Sequence, residues 1–288
     1  MRVLLTGAAG RIGRAIGACL AQEHEVLGLD LVAAPCVQYV GDVADAALLR
    51  RALHGVQAVV HAAALHAPDV GRRPDAEFER VNVQATASLL DQARAAGVGQ
   101  IVYTSTTALY GAASTPAGRA GWVDEALEPA PRTVYHRTKL AAEALLTQDA
   151  QAGGPRVRIL RIARCFPEPA PLMAVYRLHR GVDARDIAHA HALALQPGGP
   201  AALMCLVAAA TPFQREDAAA LTRDAPAVLR RRAPGLVAAF AQRRWPLPAS
   251  IDRVYDGSAA RSALGFVARY GFEEVLRQAD AGSSEVLG

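Results

Sequence analysis

Short apolar runs alternate with longer amphipathic stretches through the first half of the chain, the pattern of strands laid side by side with helices between them. The runs predict strands at Val3–Thr6, Glu25–Asp30, Val37–Gly41, Ala58–His61, Gln100–Thr104 and Arg156–Ile162. Helical periodicity between them predicts helices from Arg11 through Gln22, from Asp45 to Leu53 and, at greater length, from Asp75 to Ala96. A further helix carries Tyr135 and Lys139 toward Ala150 and stops near Gly153-Gly154-Pro155. The fold class this implies is α/β, a doubly wound parallel sheet of the Rossmann type.

Beyond Ile162 the pattern loosens. Pro167, Pro169 and Pro171 are expected to interrupt any regular element, before a helix at Asp186–Leu195 and a strand at Leu203–Val207. From Thr211 onward the expectation is short helices broken by Pro226, Pro234, Pro246 and Pro248, then a last helix from Gly271 to Ala279 and a Gly/Ser tail. The division that follows is a dinucleotide-binding domain over 1–165, with 183–208 returning to it. A small C-terminal substrate-binding domain then takes 166–182 and 209–288.

Composition narrows the function classes. Of 288 residues 52% are apolar, enough for a substantial core, and only 5% are aromatic, too few for a stacking platform that would bind nucleic acid. The net charge of +4 is carried by Arg and Lys spread along the chain, which reads as a solvated surface. Cys19, Cys36, Cys165 and Cys205 are scattered without ligand spacing, and His189 and His191 lie two apart, so they do not share a helical face; no metal site is expected. No signal-like segment precedes the first strand and no apolar run is long enough to span a bilayer, so the expectation is a soluble cytoplasmic protein.

Chemistry enters at the first turn. Gly7-Ala8-Ala9-Gly10-Arg11-Ile12-Gly13 joins a strand to a helix, where little side-chain bulk lets backbone N–H groups approach a pyrophosphate at the helix's positive end. Asp30 ends the second strand, placed to meet the adenosine ribose hydroxyls or else to cap a turn. Leu31, Val32 and Ala33 follow it, with no arginine to balance a 2′-phosphate, which favours NAD over NADP. Asp42 and Val43 after the third strand, and Ala62, Ala63 and Ala64 after the fourth, suit the walls of the same cleft. Tyr135 and Lys139, four apart, share one helical face. A phenol ordinarily titrates near pH 10, and a neighbouring ammonium lowers that value. An amphipathic helix with a half-buried tyrosine and a solvated lysine would show the same spacing.

With Gly41-Asp42-Val43, His61-Ala62-Ala63-Ala64, Val81-Asn82-Val83, the run Thr104 to Gly111 and Ala260 to Phe266, these motifs resemble the extended short-chain dehydrogenase/reductase family, the NAD-dependent epimerase/dehydratase group. The resemblance is strong over 1–162 and thin from 163 to 250. It implies that Tyr135 exchanges the substrate's hydroxyl proton, that Lys139 also binds the nicotinamide ribose, and that Thr106 hydrogen-bonds the reacting oxygen. It also implies a homodimer. Asn82 reads as structural, tying the long helix to neighbouring backbone.

Departures from the family pattern sharpen the reading. Thr107 and Ala108 stand where sugar dehydratases carry an acidic pair, and neither protonates a leaving hydroxyl. Arg164 stands where many nucleotide-sugar epimerases carry asparagine; its fork suits a substrate carboxylate or phosphate, or a structural ion pair. The stretch Phe166 to Asp186 is short for a substrate-covering insertion. Thr106, Thr107, Arg164 and His66 are the substrate-binding candidates, with Arg177, His179, Arg180 and Arg185 as further basic residues that would suit an anionic small molecule. The function expected is NAD-dependent hydride transfer at a secondary alcohol or ketone carbon of a sugar-type substrate, by a sugar or sugar-acid dehydrogenase or a nucleotide-sugar epimerase. The competing readings are a reductase of a non-sugar ketone and a non-catalytic NAD-sensing protein.

Overall fold

A computed structural model describes residues 1–282 and the backbone of Glu285–Val286. Most of the Gly/Ser tail expected after the last helix lies outside the described residues. The chain forms two compact units, the first made of Met1–Leu109, Pro131–Arg161 and Ile187–Cys205.

The first unit holds a seven-stranded sheet: β1 (Arg2–Thr6), β2 (Glu25–Asp30), β3 (Tyr39–Val40), β4 (Ala58–His61), β5 (Gln100–Thr106), β6 (Arg156–Ile162) and β7 (Ala202–Val207). They lie in the order β3-β2-β1-β4-β5-β6-β7. Pairing is parallel from β3 to β5, with Leu5 opposite Gly28 on one side and Val60 on the other. The order reverses beside β1, so the loops leaving the carboxyl ends of β1 and β4 diverge and leave a crevice between them.

The helices are α1 (Arg11–Leu20), α2 (Ala46–Ala52), α3 (Asp75–Phe78), α4 (Ala85–Ala95), α5 (Val134–Gln151) and α7 (Ala184–Ala194, of which residues from Ile187 on belong here). One core gathers Leu4 and Val59 from the sheet with Leu49, Leu89 and Leu146 from the helices. Each such side chain, removed from water, contributes about 1.5–3 kcal/mol. The long helix expected from Asp75 to Ala96 is interrupted: Glu79–Gln84 forms a π-helix between α3 and α4. Its wider turn carries the buried Asn82, and such turns within helices are frequent at functional sites.

The second unit comprises Tyr110–Ala130, Ile162–Asp186 and Leu206–Gly288. It contains α6 (Ala170–His179), α8 (Ala218–Arg223), α9 (Ala225–Arg232), α10 (Pro234–Arg243), α11 (Ser258–Leu264) and α12 (Phe272–Asp280). A short parallel strand pair, Gly121–Val123 with Arg253–Tyr255, joins its two ends. Met173, Leu178, Leu229, Phe240, Val254 and Val275 are among the residues of its separate core. The prolines separate short helices as the sequence suggests, with Pro246 and Pro248 beyond α10, and three of them also start the next helix. Pro171, Pro226 and Pro234 sit in the first turns of α6, α9 and α10 and so begin helices, because a first-turn residue needs no intrahelical N–H donor.

Candidate active site

The glycine loop is tied down on every side. Gly7 N–H donates to Leu29 O at 2.9 Å and Gly10 N–H to Gly7 O at 3.1 Å. Gly7 has φ +72°, and a Cβ there would lie 2.8 Å from Ala63 N; a Cβ on Gly13 would lie 2.0 Å from Gly7 O. Both positions therefore exclude side chains, and the second lets α1 close on the loop. Gly10 caps α1 without a side-chain bond, and no acidic residue stands in the helix's first turn. The positive end of α1 is thus left for an anion, as a pyrophosphate requires. Arg11 and Ile12 follow at the start of the helix, both partly exposed.

Asp30 serves the same loop. Its carboxylate accepts from Ala9 N at 2.9 Å and from Val32 N at 3.0 Å, so it orients the loop from the end of β2. Asp30→Ala is expected to weaken NAD binding and to cost about 1–3 kcal/mol of stability, because two N–H groups lose a charged acceptor. Isothermal titration with NAD and NADP beside thermal melts checks this; an unchanged NAD preference would assign cofactor choice to another residue. Asp42 accepts from Ala44 N at 2.8 Å and pairs with Arg80 Nη1 at 2.8 Å, while Val43 is buried in the main core. Ala62, Ala63 and Ala64 are partly exposed.

A hydrogen-bond chain beneath this loop escaped the sequence reading. Ala63 N donates to Thr6 Oγ1 at 3.2 Å, and Thr6 Oγ1 lies 2.7 Å from His61 Nδ1. His61 Nε2 lies 3.1 Å from Thr86 Oγ1, which donates to Asn82 O at 2.8 Å. These partners assign the proton to Nε2. Burial, aided by the Lys139 charge, pushes the imidazole down to about 3, so it stays neutral. Asn82 brackets Leu65, accepting from its N at 2.9 Å and donating to its O at 3.0 Å, and donates to Thr138 Oγ1 at 3.0 Å. That ties the π-helix both to the loop after β4 and to the helix bearing Tyr135.

α5 starts at Thr133, whose hydroxyl accepts from His136 N at 3.3 Å. Tyr135 is 8% exposed and packs with Phe78, Val134, Leu65 and Ala108. Lys139, expected either on a reactive face or in solvent, is 2% exposed. Its ammonium donates to Thr104 O at 2.7 Å and lies 4.0 Å from the centre of the Tyr103 ring. Burial pulls the Lys139 ammonium down to about 7, with the Glu143 carboxylate opposing. Thr104's hydroxyl faces His191 Nε2 at 2.8 Å, and His191 Nδ1 lies 2.8 Å from Ile187 O. Thr106 is half-buried at the end of β5 and accepts from Ala108 N at 3.1 Å; Thr107 is buried.

Behind Lys139 stands a buried ion pair that the sequence did not announce. Glu143, one turn further along α5, receives Arg161 Nη2 at 2.6 Å and Ser105 Oγ at 2.5 Å, with both charged side chains 7% exposed. Lys139 therefore adds an excess positive charge to a site already neutral. Its folded pKa lies below the ordinary lysine value of about 10.5, so the folded chain releases this proton first. The cost of burying the charge is present below about pH 7 and is relieved as pH rises from there toward 10.5. Lys139→Met is expected to raise the melting temperature at pH 6 and to lose that advantage by pH 10, as thermal melts across pH in the absence of nucleotide would record.

The remaining candidates are engaged locally. His66 in the first unit lies 3.1 Å from Asp69 Oδ2 and is half exposed. In the second unit Arg164, read as an anion-binding fork or half of an ion pair, forms the pair: its Nε meets Glu168 at 2.6 Å. His179 Nδ1 lies 2.8 Å from Arg253 O, and Arg180 lies 3.5 Å from Asp252. Arg185 holds Asp183 and Glu274. Among the described residues no cluster of metal-binding geometry occurs and no helix is long and apolar enough to cross a membrane.

The model of the NAD dependent epimerase/dehydratase family matches residues 3–170. Sterol demethylase protein B of Methylococcus capsulatus is 30% identical over 212 residues, covering 69% of this chain and 60% of its own. L-arabinose 1-dehydrogenase (NAD(P)(+)) of Haloferax volcanii is 33% identical over 177 residues, covering 56% of this chain and 66% of its own. The chain thus spans less than two-thirds of the length of either curated relative. A short-chain dehydrogenase/reductase superfamily protein from Agrobacterium tumefaciens, solved with bound NAD, superimposes with a TM-score of 0.73 at 23% identity, over 98% of this chain and 96% of that one.

Proposed function

We propose that this chain, which belongs to the NAD-dependent epimerase/dehydratase family, oxidises or reduces a secondary alcohol or ketone carbon of a sugar-type substrate. The observation that carries the reading is Lys139: a buried ammonium, four residues after Tyr135, fastened to the end of the strand that bears Thr106. A lysine kept for solubility alone would lie in water.

NAD, when bound, supplies the hydride acceptor and donor. The uncapped start of α1 binds its pyrophosphate, and Asp30 takes the ribose hydroxyls beside it. Tyr135 holds the proton that leaves or rejoins the substrate hydroxyl, and Thr106 orients the reacting oxygen. Lys139 favours the phenolate and, through Thr104 O, is kept from swinging away. Thr107 and Ala108 supply no acid for a leaving hydroxyl, which argues for dehydrogenation or epimerisation over dehydration. Arg164's pairing with Glu168, in place of an asparagine, argues against a standard nucleotide-sugar pose and favours a smaller sugar or sugar acid. The similarity to sterol demethylase protein B supports a second reading, reduction of a non-sugar ketone, or the reverse oxidation of its alcohol, on the same residues.

The test follows absorbance of reduced nicotinamide with purified protein, NAD and a panel of sugars, sugar acids, nucleotide sugars and sterols. Reduced cofactor growing with a sugar or sugar acid supports the first reading; growth with sterols alone replaces it by the second. A flat trace accompanied by an epimerised product means hydride is returned within one turnover. Neither product nor reduced cofactor, although NAD binds, leaves a sensing role and defeats the proposal.

A further inference from the structure

Lys139 is the only lysine of the chain. An ammonium carries three donors, and among the described residues this one makes a single hydrogen bond, to Thr104 O at 2.7 Å. The Glu143 carboxylate favours its charge but accepts from Arg161 at 2.6 Å and from Ser105 at 2.5 Å. What meets the ammonium besides Thr104 is an aromatic ring: Lys139 Nζ stands over the face of Tyr103, 4.0 Å from the ring centre. The negative face of an aromatic ring attracts a cation, most strongly where water is excluded. Here Lys139 is 2% exposed and Tyr103 1%.

Tyr103 is also the only aromatic among the described buried residues of the main core, where it lies with aliphatic side chains such as Leu4, Val59 and Ile101. Packing there asks only for an apolar side chain of similar volume. Burial, followed by the Glu143 and Tyr135 charges, pushes the Tyr103 phenol well above its ordinary value, so the ring stays neutral and keeps its negative face. The His61 imidazole lies 5.6 Å from the Tyr103 ring at an inclination of 36°, and its own neutrality adds no second charge. The other titratable groups about Lys139 are Tyr135 and Glu143 on α5, Arg161 on β6 and, behind Thr104, His191 on α7. The charge of Arg161 is met by Glu143, and burial pulls His191 down to about 4, so it is neutral as well.

We propose that Tyr103 is a positioning residue for Lys139, whose ammonium its ring face holds at the end of β5 and favours in the charged form. Thr104 O fixes where the ammonium sits, and the ring offsets part of what burial costs the charge. A ring in this geometry, away from water, raises the midpoint of the ammonium's titration by about one pH unit. The consequence for turnover rests on the hydride-transfer reading above; the hold on the ammonium does not.

A single lysine makes the test direct. Carbon-13 placed in lysine gives one Cε resonance, whose shift with pH reads the Lys139 midpoint in the full chain without nucleotide. The midpoint is compared in the wild type, in Tyr103→Phe, and with mono-, di- and trifluorinated phenylalanine inserted at the same position. Fluorine nearly keeps the shape of the ring while draining negative charge from its face. Tyr103→Phe is expected to stay within about 0.3 pH unit of the wild type, and the midpoint to fall with each fluorine, by about one unit in the trifluorinated ring. A midpoint that stays level along the fluorinated series overturns the proposal. If Tyr103→Phe does not fold, Tyr103→Met, which fills the core without a ring, takes its place. It is expected to lower the midpoint by about one unit, and an unchanged value there overturns the proposal equally. The alkaline limb of hydride transfer, followed in the same series, should move with the lysine. A midpoint that falls while the limb stays put leaves the ring's hold standing and removes Lys139 from the proposed reaction.

Discussion

Tyr135→Phe is expected to lower turnover by about 10²–10⁴-fold, the range a positioned general acid–base contributes, while leaving NAD affinity within a factor of about two. The phenol ring packs against Phe78, Val134, Leu65 and Ala108, contacts that phenylalanine keeps, so stability should hardly change. Single-turnover measurement of hydride transfer, beside NAD titration, separates the two effects. Turnover that survives within about threefold would remove Tyr135 from proton transfer. Loss of NAD binding would instead make its hydroxyl a cofactor contact.

Glu143→Leu is expected to destabilise the fold by about 3–5 kcal/mol, because it leaves the Arg161 guanidinium buried without its counter-charge. Ser105 loses its acceptor in the same step. The double variant Glu143→Leu/Arg161→Met should recover most of the loss, since it removes both charges together. Urea unfolding of the four species decides it. Additive losses would show that the pair is not the origin of the cost. Glu143 is also the charge that sustains Lys139's ammonium. Glu143→Gln, which keeps the shape, should push the Lys139 pKa further down, so the alkaline limb of activity moves to lower pH. An unmoved limb would mean that another group sets it.

This buried pair marks where sequence reading stops. Glu143 and Arg161 sit 18 residues apart on different elements, and neither belongs to a motif with a spacing of its own. On a helix drawn from sequence, Glu143 looks like an ordinary solvated carboxylate. Thr6, His61 and Thr86 are likewise joined only by the fold, across 55 and 25 residues, although His61 itself lies in a motif. Lys139 was legible as a reactive candidate but not as a buried one, since burial depends on what covers the helix face. Arg177, read as one of several basic residues that would suit an anionic substrate, is fully buried within the helical unit and paired with Asp183.

The sequence by itself determined the alternation of strands and helices, the glycine turn, the acidic end of β2 and the four-residue step from Tyr135 to Lys139. Each is a short-range property: backbone periodicity, a turn that only glycine fits, and one helical repeat suffice to specify it. Tertiary structure decided which charges lose water and what replaces it. It put Lys139 beneath β5, paired Glu143 with Arg161, turned Arg164 toward Glu168 and left Arg177 with donors unmet. Those outcomes depend on desolvation and on partners far along the chain, and neither exists until the elements pack.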